Sequence, residues 1–203
     1  MNKYLTFYTN PQSRGRMVRW MLEELNTEYE TNIVQWGAEM KGPEYLAINP
    51  MGKVPAIKHG DVVVTECAAI CAYLADAFPE AGLAPELHNR GSYYRWLFFA
   101  AGPVEQAVTN KTLKVELTDR QQAMVGYGNL SVVQDTLEQA LKNTPYITGE
   151  KFTAADVYVG SHVYWALKFG SLDSRPIFTE YAERLGKREA NVRAAELDGP
   201  TNM

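Results

Sequence analysis

Cysteine is scarce in this sequence of 203 residues: there are two, Cys67 and Cys71. They stand four apart inside one predicted helix. That spacing builds no disulfide framework and points to a reducing, intracellular setting. Histidine is equally sparse. His59, His88 and His162 lie far apart without metal-ligand spacing, so each reads as a surface or packing residue and no metal site is expected. No apolar run reaches the length needed to cross a bilayer. The opening Met1-Asn2-Lys3-Tyr4 passes straight into an alternating segment, without the apolar stretch of a signal peptide. The expectation is a cytoplasmic protein with no membrane partner. Positive charge is not in excess either: 20 Lys and Arg against 24 Asp and Glu give a net charge of -4, which argues against nucleic acid as a partner. One basic cluster, Arg14, Arg16 and Arg19, stays open to a small anion.

What is present is a change of pattern along the chain. Tyr4-Leu5-Thr6-Phe7-Tyr8 is aromatic and β-prone. Asn10-Pro11-Gln12 signals a turn, and Ser13 starts a helix whose Met17, Val18, Met21, Leu22 and Leu25 have helical spacing. Tyr29 to Trp36 reads as a second strand, with a short helical turn around Glu44-Tyr45-Leu46. Val54 to Lys58 and Val62 to Thr65 read as strands joined at His59-Gly60-Asp61. A helix follows from Ala68 to Phe78, ended by Pro79. The order βαβαββα, with a parallel first pair and an antiparallel last pair, is a thioredoxin-like α/β domain over residues 1–78. Residues 79–88 form a Pro/Gly-containing linker. Beyond it the β signal disappears and residues 89–203 read as an all-α helical bundle. Helical segments are expected over Tyr93 to Ala100 (kinked or ended by Pro103), Asp119 to Lys142, Thr153 to Phe169 and Ile177 to Ala195, with a frayed tail from Asp198.

Two stretches carry chemistry. In Asn49-Pro50-Met51-Gly52-Lys53-Val54-Pro55-Ala56-Ile57, Pro55 lies just before a predicted strand. A cis bond there would turn the backbone N–H and C=O of Val54 outward, where they could pair with a bound peptide by β-addition; an ordinary loop proline is the alternative. In Thr65-Glu66-Cys67-Ala68, at a strand-to-helix junction, Glu66 could accept from an ammonium group while the amides of Cys67 and Ala68 donate to a carboxylate, together fitting an amino-acid head group. The alternative is that Glu66 only complements the helix dipole. Thr153-Ala-Ala-Asp156 fits a capping box, which makes Asp156 structural rather than catalytic.

The segment Asn49 to Ile57 followed nine residues later by Glu66 resembles the glutathione-site core of the cytosolic glutathione transferases. Ser13-Arg-Gly-Arg-Met-Val-Arg-Trp-Met-Leu-Glu-Glu-Leu25 is similar to that family's first helix, and Tyr146-Ile-Thr-Gly-Glu-Lys-Phe-Thr-Ala-Ala-Asp156 to its helical-domain motif, so the resemblance spans nearly the whole chain. It implies a cis Val54–Pro55 bond, a Val54 backbone pairing with the cysteinyl part of glutathione, Glu66 and Cys67 holding the γ-glutamyl head, and Lys53 near the glycyl end. The family usually has serine where this chain has Cys67. It implies glutathione as co-substrate with no permanently bound cofactor, a small apolar electrophile as the second substrate, a homodimer, and a role in detoxification.

The thiol of cysteine ionises near pH 8.5, so the reaction needs a group that stabilises the thiolate. Ser13, at a helix start, ranks first and suggests a serine-type, bacterial-type site. Asn10 takes the place of the tyrosine-type classes' tyrosine when Arg14-Gly15-Arg16 is aligned with them, and Tyr8 ends the first strand; both remain rivals. The Tyr8 to Arg16 segment holds no cysteine, which disfavours thiol–disulfide exchange. Position and apolarity suggest Phe99, Glu105, Tyr158 and Trp165 for a second-substrate pocket between the domains. The leading expectation is conjugation; glutathione-dependent isomerisation or peroxide reduction, and a non-enzymatic ligand-binding or regulatory protein, are the alternatives.

Overall fold

The computed structural model describes residues 4–201. It contains a four-stranded mixed sheet in the order β2-β1-β3-β4, built from β1 (Leu5–Thr9), β2 (Glu30–Ile33), β3 (Ala56–His59) and β4 (Val62–Thr65). β1 pairs parallel to β2 and antiparallel to β3, and β3 pairs antiparallel to β4. With α1 (Gly15–Leu25), α2 (Pro43–Leu46) and α3 (Cys67–Ala77), this is the thioredoxin-like layout expected from the strand and helix signals.

The alternation of β1 decides what each face meets. Phe7 is fully buried and lies edge-on to Tyr29 and beneath the Arg19 guanidinium of α1. Its neighbour Tyr8 points the other way, against Val34, Met40 and Tyr45. α1 buries Met17, Val18, Met21 and Leu22, the stripe read from the sequence. Its first residue is glycine: a Cβ on Gly15 would sit 1.9 Å from Thr9 Oγ1, so a larger residue here would have to displace the Thr9 side chain.

The remainder is helical: α4 (Gly91–Phe99), α5 (Glu105–Thr112), α6 (Asp119–Met124), α7 (Leu130–Leu141), α8 (Ala154–Lys168), α9 (Pro176–Gly186) and α10 (Glu189–Asp198). Three expectations change. Pro103 neither ends nor simply kinks its helix; it sits in a π-helical stretch, Ala100–Val104, that joins α4 to α5. The long helix expected over 119–142 is two, because Val125 is extended and Gly128 has φ 67°. The helix expected over 177–195 is also two, since the backbone at Arg188 is extended between α9 and α10.

Two compact units result. One runs from the N-terminus to Gly82 and resumes at Arg188; the other is Leu83–Lys187. The sequence grouped all of residues 89–203 together, whereas α10 belongs with the sheet. The reason is ionic and directional: α10 lies antiparallel along α1, with Arg188 bonded to both carboxylate oxygens of Glu24 (2.6 and 2.7 Å), Arg193 to Glu23 (3.3 Å) and Asp198 to Arg19 (3.1 Å). The tail from Asp198 is therefore held rather than frayed as far as Pro200, whose carbonyl accepts from Gln12; residues 202–203 lie outside the described residues.

In the Leu83–Lys187 unit, Asp156 is fully buried. Its Oδ1 accepts from Ile147 N–H (2.7 Å) and Tyr181 O–H (2.8 Å), and its Oδ2 from the backbone N–H and hydroxyl of Thr153 (2.9 and 3.1 Å). Burial pushes this carboxyl up from its usual range, and those donors oppose the shift. The capping box is present as expected.

Candidate functional site

Three segments far apart in sequence meet at one end of the sheet. Tyr8 pairs with Ala56, and Ala56 pairs with Thr65, so one line of register crosses β1, β3 and β4. The residues beyond that line, Asn10 to Ser13 after β1, Val54 and Pro55 before β3, and Glu66 and Cys67 after β4, are thereby neighbours. The Cys67 thiol closes the ring, donating to the Arg14 carbonyl at 3.7 Å.

The approach to β3 is braced from inside. Asn49 is buried; its Nδ2 donates to the Lys53 carbonyl (2.7 Å) and its Oδ1 accepts from Met51 N–H (3.0 Å). The Tyr45 phenol donates to the same carbonyl at 2.6 Å, and burial pushes its pKa up to about 12, so it stays a donor. Lys41 Nζ holds the carbonyls of Met51 (3.0 Å) and Gly52 (2.8 Å). The Val54–Pro55 bond is cis. Among the described residues neither the N–H nor the C=O of Val54 has a hydrogen-bond partner, although two residues later the chain enters a doubly paired strand. Two unmet backbone groups beside a complete ladder form an acceptor–donor pair of the kind an extended peptide completes. Lys53 is exposed, and its ammonium has no partner among the described residues.

At the start of α3, Glu66 has φ 67° and ψ 119°. A non-glycine residue in that region costs about 1–3 kcal/mol, and such residues gather at ligand sites. The N-cap Glu66 makes no side-chain cap to α3, and a helix start presents amides that a ligand can take. The Glu66 carboxylate is exposed and makes no hydrogen bond or ion pair among the described residues. A carboxylate acceptor beside the amides of a helix start matches the two charges of an amino-acid head group. Cys67 is buried with its thiol turned to α1.

The three candidates for activating a thiol stand differently. Ser13 is half-buried; its hydroxyl donates to the Asn10 carbonyl at 2.6 Å and accepts from Gly15 N–H at 2.9 Å. Asn10 is buried and its amide is used on both sides, Nδ2 to the Val34 carbonyl (3.1 Å) and Oδ1 from Gln12 N–H (3.0 Å). Tyr8 lies half-buried, 6.0 Å centre to centre from the Tyr45 ring, with no hydrogen bond to its hydroxyl among the described residues. The basic cluster is not open to an anion as expected. Arg16 and Arg19 are already engaged by the end of α10, and Arg19 also donates to Tyr29 O–H (2.9 Å) and Thr31 Oγ1 (2.7 Å).

Of the residues suggested for a second substrate, Glu105 and Tyr158 meet around His162. Glu105 Oε2 is 3.7 Å from His162 Nδ1, and the Tyr158 ring stands edge-on to the imidazole at 4.7 Å. Phe99 packs edge-on to Trp96, and Trp165 is stacked on Phe169 beneath the Lys168 ammonium. Nothing in the sequence singles out His162, because a lone histidine on a buried helix carries no pattern. Lys41 and Asn49 were missed too; the Asn49-Pro50 turn signal was the one clue to the latter.

The sequence model of the glutathione S-transferase N-terminal domain matches residues 13–77. Glutathione S-transferase F13 of Arabidopsis thaliana is 29% identical over 189 residues, 86% of either chain. Among solved structures, a glutathione transferase of Methylococcus capsulatus superposes with a TM-score of 0.80 at 27% identity, covering 96% of this chain and 98% of its own. A glutathione transferase homologue from Sulfitobacter, solved with bound glutathione, superposes with a TM-score of 0.77 at 26% identity and the same coverage.

Proposed function

From the premise that the chain belongs to the glutathione S-transferase family, we propose that it binds reduced glutathione beside Val54 and Glu66 and joins the sulfur to small hydrophobic electrophiles. The observation that carries this reading is the unmet N–H and C=O of Val54 in register with the strained start of α3. In this reading the cysteinyl backbone of glutathione pairs with Val54. Glu66 takes the ammonium of the γ-glutamyl head, whose carboxylate receives amides of the first turn of α3, Cys67 contributing through its backbone. Lys53 faces the glycyl carboxylate, a charge-assisted contact. Phe99, Glu105, Tyr158 and Trp165 are proposed for the second substrate.

Ser13 is the proposed activator. Its single proton now goes to the Asn10 carbonyl, but an anionic sulfur is the stronger acceptor, since charge-assisted hydrogen bonds are roughly twice as strong as neutral ones. The hydroxyl turns toward the thiolate while Gly15 N–H, at the positive end of α1, continues to polarise it. The thiolate then attacks the electrophile, its lone pair forming the S–C bond as the leaving group departs with its electron pair. The protein works in the cytoplasm as a homodimer, in keeping with its reduced, buried thiols and with the family resemblance.

A second reading has its own support. The single proton of Ser13 and one N–H of Asn10 are committed internally, which suits a protein that binds glutathione without turnover. Isomerisation or peroxide reduction would use the same glutathione site. Calorimetric titration with reduced glutathione tests binding. Glu66→Ala should weaken it by about tenfold or more, the loss of a charged hydrogen bond; equal affinity in the variant would sink the proposed site. Turnover of an aryl halide then separates enzyme from binding protein.

A further inference from the structure

We propose that Arg16 and the segment Asp198–Pro200 are positioning elements for Ser13: the end of α10 clamps the Asn10–Ser13 turn and so fixes the place of the Ser13 oxygen, about which the proton turns toward a thiolate. The proposal rests on the reading of Ser13 as thiol activator.

Arg16 lies in the first turn of α1, where a cation opposes the positive end of the helix dipole. Its acceptors explain the placement. Nε donates to the Pro11 carbonyl at 2.6 Å, inside the turn, while Nη2 donates to the carbonyls of Asp198 (3.1 Å) and Gly199, at the negative end of α10. One guanidinium thus joins the turn to the end of a helix more than 180 residues away. Gln12 adds a second tie, its amide donating to the Pro200 carbonyl at 3.1 Å. Glycine makes this return possible. Gly199 has φ 66° and ψ -170°, a region open essentially to glycine alone, while a Cβ there would meet nothing within 4 Å. Any other residue therefore redirects the tail without a packing clash. Pro11 and Gln12 lead directly into Ser13, whose oxygen accepts from Gly15 N–H at 2.9 Å. Whatever holds Pro11 and Gln12 also holds that oxygen in place.

Full-length wild type, Arg16→Ala and Gly199→Val are compared by hydrogen exchange over residues 10–16 and by the pH profile of kcat with an aryl halide at saturating glutathione. Arg188→Ala, which loosens the opposite end of α10, is the control. Exchange over the turn is expected to rise about tenfold or more in the first two variants, as for the loss of a charged hydrogen bond, and to stay unchanged in the control. The acidic limb of kcat should move to higher pH while glutathione affinity holds. Unchanged exchange in both variants, an equal rise in Arg188→Ala, or an unmoved acidic limb despite faster exchange would each overturn the proposal. If wild type neither binds nor turns over glutathione, the functional reading falls, and the exchange comparison still decides whether the clamp holds the turn.

Discussion

Individual side chains at the site divide into those already spent and those left over. Asn10 has both ends of its amide in use, and the Cys67 thiol faces α1. Val54, Glu66 and Lys53 have groups without partners among the described residues. That division was only half legible in the sequence. Asn-Pro-Met-Gly-Lys-Val-Pro followed by Glu66 marked the left-over groups, because a strand-leading proline and a helix start have fixed backbone consequences. The hydroxyl direction of Ser13 had no such signature, since it depends on the carbonyl of Asn10 and the amide of Gly15 lying within reach of one oxygen. Ser13→Ala is expected to lower kcat on the order of a hundredfold, as for loss of a donor to a developing anion, while Tyr8→Phe leaves kcat unchanged. Steady-state kinetics with an aryl halide over a range of pH decides between them. The reverse pattern would move the role to Tyr8.

Elements were read well where one local rule governs and poorly where two compete. β1, β3, β4 and α3 fell within a residue or two of their predicted bounds, since alternation, a hairpin turn and Pro79 all agreed. α6 and α7 read as one helix because helical patterns lie on both sides of Gly126 and Gly128, and periodicity alone cannot see an extended Val125. The start of α8 is the opposite case: Thr153 and Asp156 form the expected capping box, and Asp156 also reaches Ile147 and Tyr181, contacts that sequence spacing does not reveal. Asp156→Ala leaves those buried donors unmet. It should destabilise the fold by roughly 3 kcal/mol or more, read as a lower midpoint in a denaturant titration, with the residual folded fraction keeping its affinity for glutathione. An unchanged midpoint would contradict the structural role.

Across the whole molecule, alkaline stability follows from tyrosines held protonated. Tyr29 and Tyr45 are each pushed up to about 12, by burial first, with the Glu23 carboxylate adding to it for Tyr29; Tyr181 is also pushed well above its ordinary value, by burial and then Asp156. An unfolded phenol ionises near 10. The folded chain therefore binds more protons above that pH, and the stability these groups contribute is intact below about pH 10 and lost as pH climbs toward about 12. Phenolate absorbance from these rings should accordingly appear together with the loss of far-ultraviolet helical signal; their ionisation in a still-folded protein would refute the assignment. The pairing of α10 with α1 was beyond the sequence, because Glu23, Glu24 and Arg19 look like an ordinary solvated helix face until Arg193, Arg188 and Asp198 are set opposite them. That pairing also sets a schedule for the nascent chain. The Leu83–Lys187 unit is an insertion in a unit whose last helix begins after it. A ribosome must therefore translate the entire insertion before α1 can meet its partner, and the part of the protein that is made first is completed last.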